Sequence, residues 1–104
     1  MLNKKKFYIN GKWTDPIKEN DCYVIDPSTE ENCAVISIGS KEDIDVAVQA
    51  AKNAFESWAF TSKEERLKLL ETLYANYKKR WADFANAITI EMGAPKAFAT
   101  KLQA

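Results

Sequence analysis

Histidine is absent from the 104 residues, and glycine occurs only at Gly11, Gly39 and Gly93. With no imidazole in the chain, a serine or cysteine nucleophile lacks its usual base. With no two glycines close together, a phosphate-cradling loop of the Gly-x-Gly kind cannot be built. Cysteine is scarce as well: Cys22 and Cys33 stand alone. A structural zinc takes about four ligands, mostly Cys and His, so none is expected here. A disulfide is disfavoured in a reducing compartment, and both thiols are read as free. Neither sign of charge dominates, because 15 basic residues meet 15 acidic ones. No global field therefore favours nucleic acid or an anionic membrane. No apolar run is long enough to span a bilayer, and the N-terminus lacks the apolar stretch of a secretory signal. The expectation is a cytoplasmic chain with no membrane and no nucleic-acid partner.

What remains is the composition of an ordinary globular protein, 46% hydrophobic and 29% charged, long enough for one small domain. The chain is dominated by the stretch 62–92, read as one long helix. Ser62 followed by Glu65 is a capping box. Gly93 and Pro95 stop the helix, since Gly tolerates the left-handed conformation and Pro cannot continue. In between, Leu67, Leu70, Tyr74, Tyr77, Trp81, Phe84 and Ile88 recur at steps of three and four. Leu69, Leu73, Ala87 and Ile90 widen that stripe. Such a rod is on the order of 45 Å long and shows more apolar surface than one neighbour covers.

Ahead of it, residues 1–39 read as strands and turns. Phe7-Tyr-Ile-Asn-Gly-Lys-Trp13 is a hairpin signal, with Asn-Gly suited to a tight two-residue turn. Cys22–Ile25 and Ala34–Ile38 read as two more strands around the turn chemistry of Asp26-Pro-Ser-Thr29. Together they suggest a small antiparallel meander. A first helix follows over 40–58, opened by Ser40 with Asp43 as its box partner. Its apolar face is Ile44, Ala47, Val48, Ala51, Phe55 and Trp58, and it should pair antiparallel with the long helix. Residues 95–104 read as the start of a third helix.

Few residues carry chemistry. Glu42-Asp43 and Glu64-Glu65 sit in first turns, where acids complement the helix dipole, so they read as capping groups. Trp58, Tyr74, Tyr77 and Trp81 fall at helical spacing and read as core. Lys4-Lys5-Lys6 reads as a solvated tail. Glu91 is the exception: an acid in the last turn of a helix meets the negative end of the dipole, which suggests a cation or a basic partner, the alternative being a solvated surface glutamate.

Read in order, the segments resemble the N-terminal end of an aldehyde dehydrogenase. The resemblance lies in Phe7–Trp13, in Val24-Ile-Asp-Pro-Ser-Thr-Glu30, in Gly39–Phe55, in Trp58, Glu65-Arg66 and Leu69-Leu70, and in Ile88-Thr-Ile-Glu-Met-Gly-Ala-Pro95. It implies an α/β fold whose parent is Rossmann-like. Residues 1–104 would be a single incomplete coenzyme-binding domain: a short β-meander, an antiparallel helix pair and the start of a third helix. Family members oxidise aldehydes to carboxylic acids with NAD or NADP, using a cysteine thiolate and a glutamate base. No position here matches those catalytic or cofactor-binding residues, so the segment alone is expected to be inactive. Its partners would be the remainder of an aldehyde dehydrogenase polypeptide and, in the complete enzyme, further copies in a homo-oligomer. Many members also hold a monovalent cation, Na+ or K+. The matching donors here are the carbonyls of Val24 and Ile25 and the carboxylate of Glu91, with a further ligand missing. The alternative is a stand-alone helical interaction module without enzymatic activity.

Overall fold

The computed structural model describes residues 1–104. Five strands come first: β1 Leu2–Asn3, β2 Phe7–Ile9, β3 Lys12–Thr14, β4 Asp21–Asp26 and β5 Glu31–Ser37. Helices α1 Lys41–Trp58, α2 Lys63–Lys79 and α3 Trp81–Met92 follow, then a single turn, α4 Lys96–Phe98, which widens into a π-helical turn over Ala99–Gln103. The chain forms two compact units. One is Met1–Val24 with Asn32–Phe60, and the other is Ile25–Glu31 with Thr61–Ala104.

In the first unit, β2 and β3 form the expected hairpin, with Tyr8 opposite Trp13 and Ile9 opposite Lys12. Asn10 and Gly11 both take positive φ, 52° and 76°, as a tight turn between twisted strands requires. The rings of Tyr8 and Trp13 meet edge to face at 5.3 Å. The other strands depart from the expected meander. They form a separate sheet in the order β1-β5-β4, and Leu2–Asn3 joins it parallel to β5. Two residues are too few to show alternation, so the sequence carried no sign of β1. Once β1 is paired, Lys5 is no loose tail: its Nζ lies 2.8 Å from Asp21 and 3.2 Å from Glu19. That reading of Lys4-Lys5-Lys6 is corrected for Lys5, and Lys6 reaches Asp15 at 3.4 Å.

Ser40 caps α1 with the full box, and Asp43 does more than close it. Asp43 is buried, and its carboxylate accepts from the Ser40 amide, the Ser40 hydroxyl and, at 2.9 Å, the amide of Ile17. The loop before β4 is thereby tied to the start of α1. Further along it, the Asn20 amide donates to Ser37 Oγ at 3.1 Å. Ala34, Val35 and Ser37 of β5 are the buried residues of the sheet. The apolar face of α1 is largely open instead, with Ile44, Val48, Phe55 and Trp58 all exposed.

In the second unit, Ser62 and Glu65 complete the capping box of α2. The rod expected over 62–92 breaks at Arg80, whose φ of −108° and ψ of 12° lie outside the helical well. Its amide turns back to Tyr77 O at 3.0 Å, and its Nε donates to Asp83 in the first turn of α3 at 3.0 Å. Aromatic contacts bridge the break: Tyr77 stacks on Phe84 at 4.7 Å and meets Trp81 edge-on at 5.8 Å. Because these contacts keep the three-and-four spacing, the apolar stripe runs through the bend and hides it from a periodicity argument. Ala85 and Ala99 are buried, and their small side chains let the last turns lie close against α3. The Trp81 indole N–H fastens them, donating to Thr100 O at 2.8 Å. Trp58 and Tyr74 are 44% and 59% exposed, so neither is core, whereas Tyr77 and Trp81 are half-buried. Leu67, Leu70 and Leu73 are more than half exposed.

Candidate cation site

The turn between β4 and β5 organises itself around Asp26. Its Oδ1 accepts from the Ser28 amide at 2.8 Å and from the Ser28 hydroxyl at 2.6 Å. Its carbonyl accepts from the amides of Thr29 and Glu30. The Ser28 hydroxyl first, then its amide, hold the Asp26 carboxyl below the ordinary carboxylate range. Glu30 closes the turn at a φ of 62°, a left-handed position without glycine. The carbonyls of Val24 and Ile25 come just before this turn, and the Val24 carbonyl accepts from the Cys33 thiol at 3.3 Å. Cys22 and Cys33 are both free and half-buried.

Gly93 ends α3 in the left-handed conformation, φ 69°, and its amide returns to Thr89 O at 3.0 Å. The α3 terminus and the turn meet here. A Cβ placed on Gly93 would come within 2.9 Å of Pro27 Cγ, so only glycine fits without a shift. Glu91, in the same last turn of α3, is exposed and takes part in none of the chain's ion pairs. Two residues earlier, Thr89 Oγ1 is shut off from solvent and has no hydrogen-bond partner in the chain. Sequence reasoning missed Thr89; a threonine in a helix gives no signal that its hydroxyl will be left unpaired.

No cluster of three or more His, Cys, Asp and Glu side chains is present. Carbonyl and carboxylate oxygens are hard donors, the kind that hold Na+ or K+. The orphaned hydroxyl at the same helix end is a further oxygen wanting a partner.

The sequence matches the model of the aldehyde dehydrogenase family over residues 13–103. The chain belongs to the aldehyde dehydrogenase family. Among relatives of this aldehyde dehydrogenase segment, a 3-succinoylsemialdehyde-pyridine dehydrogenase from Pseudomonas sp is 43% identical over 95 residues, covering 91% of this chain and 20% of that protein. A putative aldehyde dehydrogenase from Staphylococcus saprophyticus is 42% identical over 99 residues. Among solved structures, an aldehyde dehydrogenase from Bartonella henselae superposes with a TM-score of 0.97 at 56% identity, covering 99% of this chain and 22% of that one. Aldehyde dehydrogenase C from Pseudomonas syringae, solved with NAD+ and octanal, gives 0.92 at 38% identity, covering 95% and 20%. The α/β fold class expected from the sequence is the one these structures have. The chain spans about a fifth of the length of the relatives it matches.

Proposed function

We propose that this chain is the leading segment of an NAD(P)-dependent aldehyde dehydrogenase that oxidises an aldehyde to its carboxylic acid. The observation that carries the reading is the family match over residues 13–103, in register with the start of longer enzymes. Relatives solved with NAD+ support a nicotinamide coenzyme for the complete enzyme. The segment would be the first part of its coenzyme-binding domain. Its own residues would supply scaffold: no His is present, and Cys22 and Cys33 are free thiols in β4 and β5. The catalytic thiol, the base and the coenzyme contacts belong to polypeptide outside these residues, in a cytoplasmic homo-oligomer.

Within this segment the residues with a binding role are the donors of a Na+ or K+ ion: the carbonyls of Val24 and Ile25 and the carboxylate of Glu91. The charge such an ion brings would neutralise an acid placed at the negative end of a helix. The exposed apolar stripe of Leu67, Leu70, Leu73 and Tyr74 also favours a second reading, a helical module that binds a partner through that face.

Aldehyde-dependent reduction of NAD and of NADP, measured on this chain and on the polypeptide encoded by the extended reading frame, separates the two. The enzyme reading expects no turnover from the 104 residues and robust turnover from the longer product. Turnover by the short chain, or a stop codon directly after Ala104 with a soluble monodisperse product, sinks it.

A further inference from the structure

We infer that the open stripe of α2 is the seat of the polypeptide directly following Ala104, which continues as a helix antiparallel to α2. This rests on the leading-segment reading given above: the chain spans about a fifth of the length of its relatives, so most of such a polypeptide lies outside these residues. The direction comes from α3 and the turns after it. Gly93 and Pro95 reverse the chain at the Met92 end of α3. By Thr100 it has come back to the other end, where the indole N–H of Trp81, the first residue of α3, donates to Thr100 O at 2.8 Å. Lys96–Gln103 therefore runs antiparallel to α3, and the buried Ala85 and Ala99 let the two lie close.

Ahead of Thr100 in that direction lies α2. Trp81, Tyr77, Tyr74, Leu70 and Leu67 follow one another at steps of three and four, which makes them one ridge. The bend at Arg80 does not interrupt it, because Tyr77 meets Trp81 edge-on at 5.8 Å and stacks on Phe84 at 4.7 Å. The ridge is half-buried at Trp81 and Tyr77, and more than half exposed at Tyr74, Leu70 and Leu67. Burial thus falls away along the ridge in the direction the returning chain is heading. From Tyr77 to Leu67 is about 15 Å, the rise of roughly ten helical residues, so a continuation of about three turns covers it. An amphipathic helix with apolar residues at three-and-four steps fits that ridge. Tethering favours this occupant over others. A segment joined to the chain a few residues away acts at an effective concentration on the order of millimolar, which a second copy or a separate partner must match from solution.

The test is photo-cross-linking in the complete polypeptide encoded by the extended reading frame, carrying Tyr74→p-benzoylphenylalanine, which keeps a ring at that position. Peptide mapping after irradiation should join position 74 to residues within about 20 positions after Ala104. A mixture of light and isotope-labelled copies should give no hybrid product, since the link lies within one molecule. Cross-links to any other part of the polypeptide, to the second copy in the mixture, or to nothing overturn the inference. Should that variant not fold, carbene footprinting of the unmodified polypeptide decides. Strong protection of Leu67, Leu70 and Tyr74, matched by protection of an apolar face in the segment after Ala104, upholds the inference; labelling of the three at the level of exposed side chains overturns it. A reading frame that stops at Ala104 removes the leading-segment reading and this inference together. A longer polypeptide that reduces NAD or NADP with an aldehyde but cross-links elsewhere removes only this one.

Discussion

Gly93 and Pro27 are packed so tightly that a methyl group on the first would meet Cγ of the second at 2.9 Å. The contact has two independent constraints behind it, the space and the φ of 69°. Gly93→Ala should destabilise the chain by about 1–3 kcal/mol, from left-handed strain plus displacement of the proline ring. Gly93→Ala combined with Pro27→Ala should recover the steric part and leave the strain. Urea unfolding of both variants checks this, and equal stability of the single and double variants would refute the contact.

Asp43 makes the start of α1 sensitive to acid. The Ile17 amide first, then the Ser40 hydroxyl and amide, hold its carboxyl below the ordinary range. A folded-state value lower than the unfolded one means that the stabilisation is complete above the ordinary carboxylate value. It is lost as pH falls below about 4 and through the depressed value. The expected result is a downward slope of stability with falling pH that Asp43→Asn flattens. Amide exchange at Ile17 should accelerate over the same range.

The capping hydroxyls can be tested without touching a charge. Ser40→Ala and Ser62→Ala should each cost about 1 kcal/mol, because each removes the acceptor for an amide of the first turn. Helix content followed through thermal melting measures both. The loss at Ser40 should be the larger, since the same substitution also loosens Asp43 from Ile17.

Trp81 holds the final turns. Replacing it with Phe keeps most of the ring and removes the donor to Thr100 O, at a cost of about 1 kcal/mol. Hydrogen exchange over residues 99–103 should rise while α2 stays protected. Uniform exchange across the segment would show that the indole bond is dispensable.

The open stripe of α2 should make the isolated chain self-associate and bind a dye that reports exposed apolar surface. Leu70→Glu with Leu73→Lys should cut both effects while leaving helix content intact. Sedimentation velocity and circular dichroism provide the readouts; a wild type that is monomeric and dye-silent would contradict the exposure.

Local rules were the legible part of this chain. Asn10-Gly11, the two Ser-to-acid capping boxes and Gly93 each state their geometry within four residues, and each is found as read. Non-local choices were not legible. Leu2–Asn3 pairs with Ala34–Val35 across the intervening strands β2, β3 and β4, and nothing in two residues announces it. Arg80 breaks the rod without Gly or Pro, through its bond to Asp83 and the stacking of Tyr77 on Phe84. Glu30 holds a left-handed φ because Asp26 and Thr29 bond the turn around it, not through any preference of its own. At the candidate site, Glu91 declared itself by standing at the wrong pole of a helix. Thr89 could not, since an unmet hydrogen bond exists only once the neighbours are in place.

The parallel pairing of β1 with β5 fixes an order of events during synthesis. Leu2 and Asn3 leave the ribosome well before their partners, Ala34 and Val35, which are made only after β2, β3 and β4. The hairpin of Phe7–Thr14 can close in the meantime, because both of its strands are already made. The leading residues are thus born early and seated late, and during that interval Lys5 has neither Glu19 nor Asp21 to hold it.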